Sequence, residues 1–417
     1  MTQIIHRRNT CRACSSKDIE HVFSLKPSPI GDAYVTEDRL NVHQPSYPID
    51  LHICRKCGLA QIVDVIAPEV LYGDYIYVTG SSLGLADHFR SYARSVKERF
   101  SLKAGSLVID IGSNDGTLLK HFKDDGMKVL GIEPAKHIAS QANANGIETL
   151  DAFLTPDIAA EIESDYGRAK LITSNNVFAN IDDLESWLDA VEMLMARDGV
   201  YVFESFYLAD VIRNMVFDFL YHEHLSAFSV KPIKNLFERR GLELIAVEHV
   251  ATKGGSLRYF VQRAGGPIAD DGSVAKFLAA EHAMGLYEKK TYFVFAEKIN
   301  RLKTQTRDFL AQAKKNGKSI AGFGASITGT TLIYHFEIGE YLDYLVDDNH
   351  AKQGRYSPGF HIPVLASASL YEKKPDYVVA LAWRFAEPFI AKNQAYINSG
   401  GHLLIPVPEF RVVGKSA

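Results

Sequence analysis

Cysteine is scarce in this chain: 417 residues carry four, and all four fall in the first 57. A disulfide framework spread over the molecule is therefore excluded. Runs of 18 apolar residues are absent, so no membrane-spanning helix is expected. The opening Met1-Thr-Gln-Ile-Ile-His-Arg-Arg lacks the apolar centre of a secretory signal, and a soluble, cytoplasmic protein is the expectation. Lysine and arginine form no long run, and the net charge is −4, which counts against nucleic acid as the main partner. Against these absences stands a hydrophobic share of 47%, ample for buried cores, and a length that predicts two or three domains.

The four cysteines are paired as Cys11-Arg-Ala-Cys14 and Cys54-Arg-Lys-Cys57. Each pair can present two thiolates from one tight turn, and two such pairs close a tetrahedral zinc site. Four thiolates leave no open coordination position, so the metal is expected to be structural. The interval 15–53 is longer than in a common zinc ribbon and should hold structure of its own. The next stretch, Tyr72-Gly-Asp-Tyr-Ile-Tyr-Val-Thr-Gly-Ser-Ser82, is both aromatic and polar. Tyr75 and Tyr77 would share one face if extended, as a packed linker or as the lip of a site.

The chain is organised around Val108-Ile-Asp-Ile-Gly-Ser-Asn-Asp-Gly-Thr-Leu-Leu119. An apolar run ends in Asp110 and Gly112, a polar turn (Ser113, Asn114, Asp115) follows, and a helical pattern begins. A second apolar run, Val129-Leu-Gly-Ile132, closes on the acid Glu133. Strand, glycine turn, helix, strand, acid is the layout of a nucleotide-binding unit. The spacing is not the G-x-G-x-x-G of pyrophosphate binders, and Asp115 would repel a pyrophosphate. It suits a cationic, phosphate-free ligand such as S-adenosylmethionine, with Glu133 holding the ribose hydroxyls.

Candidate strands follow at 106–111, 127–132, 170–174 and 199–204, with helical stretches between them. Asp151 ends the third strand region, where it can meet the adenine amino group or cap a helix. Asn175 and Asn176 stand at the carboxyl end of the next strand, where open α/β sheets hold their ligands. Residues 241–250 and 256–262 read as a terminal hairpin, which completes a class I methyltransferase layout. Before the hairpin lies Tyr221-His-Glu-His224, too polar for a core and too aromatic for a solvated loop. An imidazole, a carboxyl group and a phenol in a row suit general acid–base chemistry; a satisfied structural cluster and a metal pair of His222 and His224 are the alternatives. A boundary at Gly265-Gly-Pro267 is followed by a helical segment over 273–316 and a second Rossmann-like half. Its turn Gly322-Phe-Gly-Ala-Ser326, through Gly324 and Ser326, either cradles a phosphate or only packs a strand on a helix. Arg355 and Arg384 supply donors nearby in topology.

Taken together these motifs resemble the S-adenosylmethionine-dependent C-methyltransferases of nucleotide-linked 4-keto-6-deoxy sugars, as in the dTDP-sugar C3 enzymes. The shared stretches are the paired C-x2-C lobe, residues 111–119, Tyr221–His224, Lys253-Gly-Gly-Ser-Leu-Arg258, residues 322–325 and Lys352-Gln-Gly-Arg-Tyr-Ser-Pro-Gly359. The resemblance implies a zinc-binding domain (1–75), a methyltransferase domain (76–265) and a Rossmann-like nucleotide-sugar-binding domain (266–417). It implies a dTDP- or GDP-linked substrate between the first and last of these, and a monomer. His224 becomes the expected base for the C3 proton, oriented by Glu223, with Tyr221 and Tyr77 stabilising the enolate or relaying a proton. Tyr75, Asn180, His222, Gly324, Ser326, Arg355 and Arg384 are expected to meet the substrate. Two departures stand out: Asn180 replaces a histidine common in the family, and Ser326-Ile-Thr328 lacks a common lysine. The alternative expectation keeps the fold but acts on a different nucleotide-sugar, or enolises or binds one without methylating it.

Overall fold

The structure, a computed structural model, describes residues 4–72 and 84–415. Tyr75 and Tyr77 lie outside the described residues. The chain is mixed α/β, with three principal sheets and one two-stranded ribbon among the described residues. In the N-terminal lobe, Ile19–Ser28 and Tyr47–Cys54 pair antiparallel, so the long interval between the cysteine pairs is itself a hairpin. Ile49, Leu51 and Ile53 alternate inward along the second strand, the period-2 pattern of a half-buried strand. Ala60–Ile62 adds to it, and the edge is completed by Ser226–Ala227, which arrive from far along the chain. Ile5–Arg7 and Asp64–Ile66 form the ribbon.

The central sheet has seven strands in the order Leu242–Val250, Ser256–Arg263, Met195–Phe206, Ala169–Asn175, Leu107–Ile111, Lys128–Ile132, Thr149–Leu150. Only Ser256–Arg263 runs antiparallel to its neighbours. Leu107–Ile111 is buried along its whole length, as expected of an apolar strand covered on both faces, with Asp110 near its carboxyl end. The helix Leu85–Arg99 buries Leu85, Phe89, Tyr92, Ala93 and Val96, the stripe its sequence period predicts.

The C-terminal sheet orders Val364–Ala366, Tyr344–Asp347, Ile320–Phe323, Tyr377–Ala380, His402–Ile405 and Arg411–Val413. The first five are parallel and the last folds back as a hairpin. One difference from expectation concerns 273–316, which is two helices, Ser273–Ala283 and Lys289–Lys315. Gly285 between them holds φ +65°, a left-handed conformation that ends an α-helix.

Candidate active site

A cavity of about 530 Å³ opens at the carboxyl ends of the central parallel strands. Asp110, Gly112, Ser113, Asn114, Glu133, Asn175 and Asn176, expected at the cofactor, line it, and so does Asn180, expected at the substrate. Gly112 has φ +71°, and a Cβ there would lie 2.3 Å from Val177 Cγ2, so only glycine fits this approach. Ile132, Pro134, Phe153 and Leu154 form an apolar wall. Ser113 Oγ, both amide atoms of Asn175 and Asn180 Oδ1 are buried with no hydrogen-bond partner among the described residues. Buried polar atoms that line an apolar slot await partners from a ligand, and this combination fits the nucleoside and amino-acid ends of S-adenosylmethionine.

The acids divide between ligand and protein. Glu133 accepts the Asn114 N–H at 3.0 Å and the Ala135 N–H at 2.8 Å, so it also braces the glycine turn. Burial raises its carboxyl, and those two N–H groups oppose the rise. Burial pushes the Asp110 carboxyl up to about 7, against the Thr173 hydroxyl that donates to it at 2.6 Å. Two expected cofactor residues stand elsewhere. Asp115 is not in the cavity lining; its carboxylate accepts from Thr117 N and Oγ1 at 3.1 and 2.6 Å, local bonds that start the next helix. Asp151 is exposed, and Ala152, Phe153 and Leu154 line the cavity instead.

Next to the cavity, the catalytic candidates form a segment held between the other two sheets. It begins in the short turn Phe217–Phe219 and ends in Ser226–Ala227, an edge strand of the N-terminal lobe. His224 Nδ1 lies 2.7 Å from the carbonyl of Phe219. A carbonyl only accepts, so Nδ1 carries the proton. Burial pushes the imidazole down to about 3, so it is neutral and Nε2 holds the lone pair. The Tyr221 hydroxyl stands 3.0 Å from Nε2 and donates to it. Phe206 stacks on the ring at 4.6 Å between centroids.

Glu223 does not orient His224, contrary to expectation, because the Phe219 carbonyl occupies that nitrogen. Burial pushes the Glu223 carboxyl up to about 8; Asp32 adds to this, and Lys253 and Lys352 oppose it. His222 turns the other way: its Nε2 lies 3.2 Å from Tyr47 O in the N-terminal lobe, away from the cavity lining. The two histidines thus have separate partners and form no metal pair; among the described residues, the cysteines alone form a metal-ligating cluster.

The C-terminal candidates lie apart from this cavity. Gly324, Ser326, Arg355 and Arg384 are absent from the cavity lining. The Gly324 N–H donates to Val346 O at 3.0 Å and the Ala325 N–H to Asp347 Oδ2 at 2.6 Å, so two N–H groups of the expected phosphate cradle are already taken. Ser326 Oγ accepts from Gly329 N at 3.1 Å as a helix cap. A Cβ on Gly324 would meet the Ala382 Cβ at 2.5 Å, a packing reason for glycine. Arg355 is half-buried, and its carbonyl accepts from Val364 N at 2.8 Å. Arg384 binds Asp218.

Part of the wall comes from residues that no sequence motif marks. Val65, Ile66, Ala67 and Pro68 of the N-terminal lobe line the cavity, as does Asp182. Asp182 is held by Arg8 Nη1 at 3.1 Å and by Arg12 Nε at 2.8 Å. Arg12 sits between two ligand cysteines, fully buried, and also donates to Leu225 O at 3.0 Å, one residue past His224. The acidic pair Asp182-Asp183, which follows Asn180 after one intervening isoleucine, was the available signal. Lys253, the first residue of the Lys253–Arg258 motif, lines the cavity with φ +56°.

The four cysteine Sγ atoms lie within 4.8 Å of one another. Cys11 to Cys57 and Cys14 to Cys54 are each 3.5 Å apart. That is too far for a disulfide of about 2.05 Å. It is near the separation of roughly 3.8 Å that two thiolates take on one tetrahedral zinc.

Three family models tile the chain. They are a zinc binding domain over residues 11–72, a methyltransferase domain over 85–247, and a C-methyltransferase C-terminal domain over 251–408. A curated relative, the C-methyltransferase NovU of Streptomyces niveus, is 33% identical over 418 residues and covers 100% of both chains. The chain belongs to the C-methyltransferase family. This C-methyltransferase takes its methyl group from S-adenosylmethionine, and its N-terminal lobe is a zinc-binding domain. Among solved structures it is similar to a magnesium protoporphyrin IX methyltransferase of Synechocystis PCC 6803. That match has 14% identity, 46% of this chain, 91% of that one and a TM-score of 0.36. It is also similar to a S-adenosylmethionine-dependent methyltransferase of Clostridium acetobutylicum, with 12% identity, 47% of this chain, 96% of that one and a TM-score of 0.33.

Proposed function

We propose that this C-methyltransferase methylates C3 of a nucleotide-linked 4-keto-6-deoxy sugar, carried on dTDP or GDP. The observation that carries the reading is the state of His224: a neutral imidazole, Nδ1–H tied to Phe219, Nε2 facing Tyr221 beside the cavity. Methylation at carbon needs a carbanion equivalent. A C4 ketone acidifies the C3 proton, and a neutral imidazole lone pair can accept it. S-adenosylmethionine, when bound, supplies an electrophilic methyl on a sulfonium.

The chain's own groups divide the remaining tasks. His224 Nε2 takes the C3 proton, directly or through the Tyr221 hydroxyl as that hydroxyl passes its own proton on. Once the relay leaves the C3 proton on the Tyr221 oxygen, that hydroxyl can donate to an enolate oxygen at C4. Asn180, whose buried carbonyl oxygen has no partner among the described residues, replaces a proton-transfer group by a hydrogen-bonding one. The substrate would lie beside Glu223, on which Asp32, Lys253 and Lys352 act, with Lys352 paired to Asp32. That placement, the domain limits 1–75, 76–265 and 266–417, and a monomeric state are parts of the same proposal.

The test is mass spectrometry of a panel of dTDP- and GDP-linked 4-keto sugars with S-adenosylmethionine. A gain of one methyl supports the reading. Deuterium exchange at C3 without methyl gain would replace it with the enolising alternative.

A further inference from the structure

Arg384 is bound inside the protein. Its Nη1 lies 3.2 Å from Asp218 Oδ2, and Trp383 Nε1 donates to the same oxygen at 3.0 Å. Asp218 is fully buried, and burial raises its carboxyl while Arg384 and Trp383 hold it down. The Arg384 guanidinium also lies over the Phe219 ring, 4.5 Å from its centroid. Asp218 and Phe219 are consecutive residues of one short turn, so Arg384 grips that turn by two faces at once. Phe217, the third residue of the turn, stacks on Phe336 of the C-terminal domain, with centroids 5.4 Å apart.

The carbonyl of this turn is the acceptor for His224 Nδ1–H. Without a fixed acceptor on Nδ1, the two neutral imidazole tautomers become comparable. The other tautomer puts its proton on Nε2, where the lone pair is needed. A buried ion pair that only docked two domains would be replaceable by apolar packing. This one is placed on the residue next to the acceptor that decides the histidine's state.

We propose that Asp218, Trp383 and Arg384 are positioning residues: through the Phe219 carbonyl, the C-terminal domain holds His224 in the Nδ1–H tautomer. The inference rests on the reading of His224 as the base, and its test separates the two. Zinc-loaded full-length protein, labelled with 15N-histidine, is compared as wild type, Arg384→Ala, Arg384→Lys and Trp383→Phe. His224 is assigned by the resonance that His224→Asn removes. Arg384→Ala is expected to lower the Nδ1–H population and reduce kcat by about tenfold, with affinity for S-adenosylhomocysteine within about twofold of wild type. Arg384→Lys should recover part of both, because it restores the charge without the planar stack. A folded Arg384→Ala protein with unchanged tautomer and unchanged kcat would overturn the proposal. Should Arg384→Ala fail to fold, Trp383→Phe, which removes one donor only, is read by the same criteria. Full turnover in His224→Asn would remove the base assignment instead, while the tautomer spectra still decide the linkage.

Discussion

His224 donates its Nδ1–H to the carbonyl of Phe219 at 2.7 Å, five residues earlier in the chain. That one bond sets which nitrogen can act, because the neutral ring then has a single lone pair, on Nε2, facing Tyr221. It also ties the candidate base to a turn that the C-terminal domain holds.

His224→Ala is expected to lower methyl transfer by roughly 10²–10⁴-fold, the range for loss of a general base. Affinity for S-adenosylhomocysteine should be retained, since His224 is outside the cavity lining. Calorimetric titration and single-turnover assays of the same sample check both halves. Turnover equal to wild type would remove His224 as the base.

Glu223→Gln should flatten the alkaline side of the pH profile. Burial pushes the Glu223 carboxyl up to about 8, so it is protonated at neutral pH and ionises as pH rises through that value. Ionisation places a charge in a buried site, and kcat/KM of the wild type is expected to fall above pH 8. The sign for stability agrees: the folded value is above the unfolded one of roughly 4.3, so stability from this group is lost as pH rises between the two. Melting temperature against pH for wild type and variant, with kcat/KM, tests this; an identical alkaline fall in the variant would count against it.

Metal analysis is expected to find about one zinc per chain, released by Cys54→Ser or strong chelation. Loss should lower the melting temperature and loosen the active segment as well. The route is short: Gln61, in the strand after Cys57, pairs with Ser226, and Arg12 in the first knuckle donates to Leu225 O. Hydrogen exchange at residues 224–227 reads the second effect. Unchanged protection there on zinc removal would show that the lobe does not support the segment.

Gly112→Ala should weaken S-adenosylmethionine binding by about 1–3 kcal/mol, the usual cost of a strained left-handed residue. The new Cβ would also meet Val177 Cγ2 at 2.3 Å. Adding Val177→Ala should relieve the contact and leave the backbone cost, so affinity recovers in part. Titration calorimetry of both variants decides; full recovery would place the whole effect in the side-chain contact.

The cavity lining on the central sheet was largely legible in the sequence because it is local. Gly112, Ser113 and Asn114 follow one strand within three residues, and Glu133 closes the next strand of the same unit. Asp115 and Asp151 show the limit of such reading. Both lie in the expected stretches, yet side-chain direction turned Asp115 to its own helix and left Asp151 in solvent. The substrate-side residues Gly324, Ser326 and Arg384 were harder, since a glycine turn and a nearby arginine carry no information on which acids they will meet. Asp347 and Asp218 answered that question from other parts of the chain.

The sequence by itself determined the zinc knuckles, the order of strands and helices, and the glycine turn that approaches the cofactor. Each follows from spacing over a few residues: two thiolates per turn, period-2 and period-3.6 burial, and a backbone without a Cβ. The tertiary structure alone decided the state of the candidate base. His224 owes its neutrality to burial, its tautomer to Phe219, and its fixed position to an edge strand in the zinc lobe and a turn gripped from the C-terminal domain. Those partners are brought together by packing between residues as far apart as Gln61 and Arg384, and a linear pattern holds no record of such contacts.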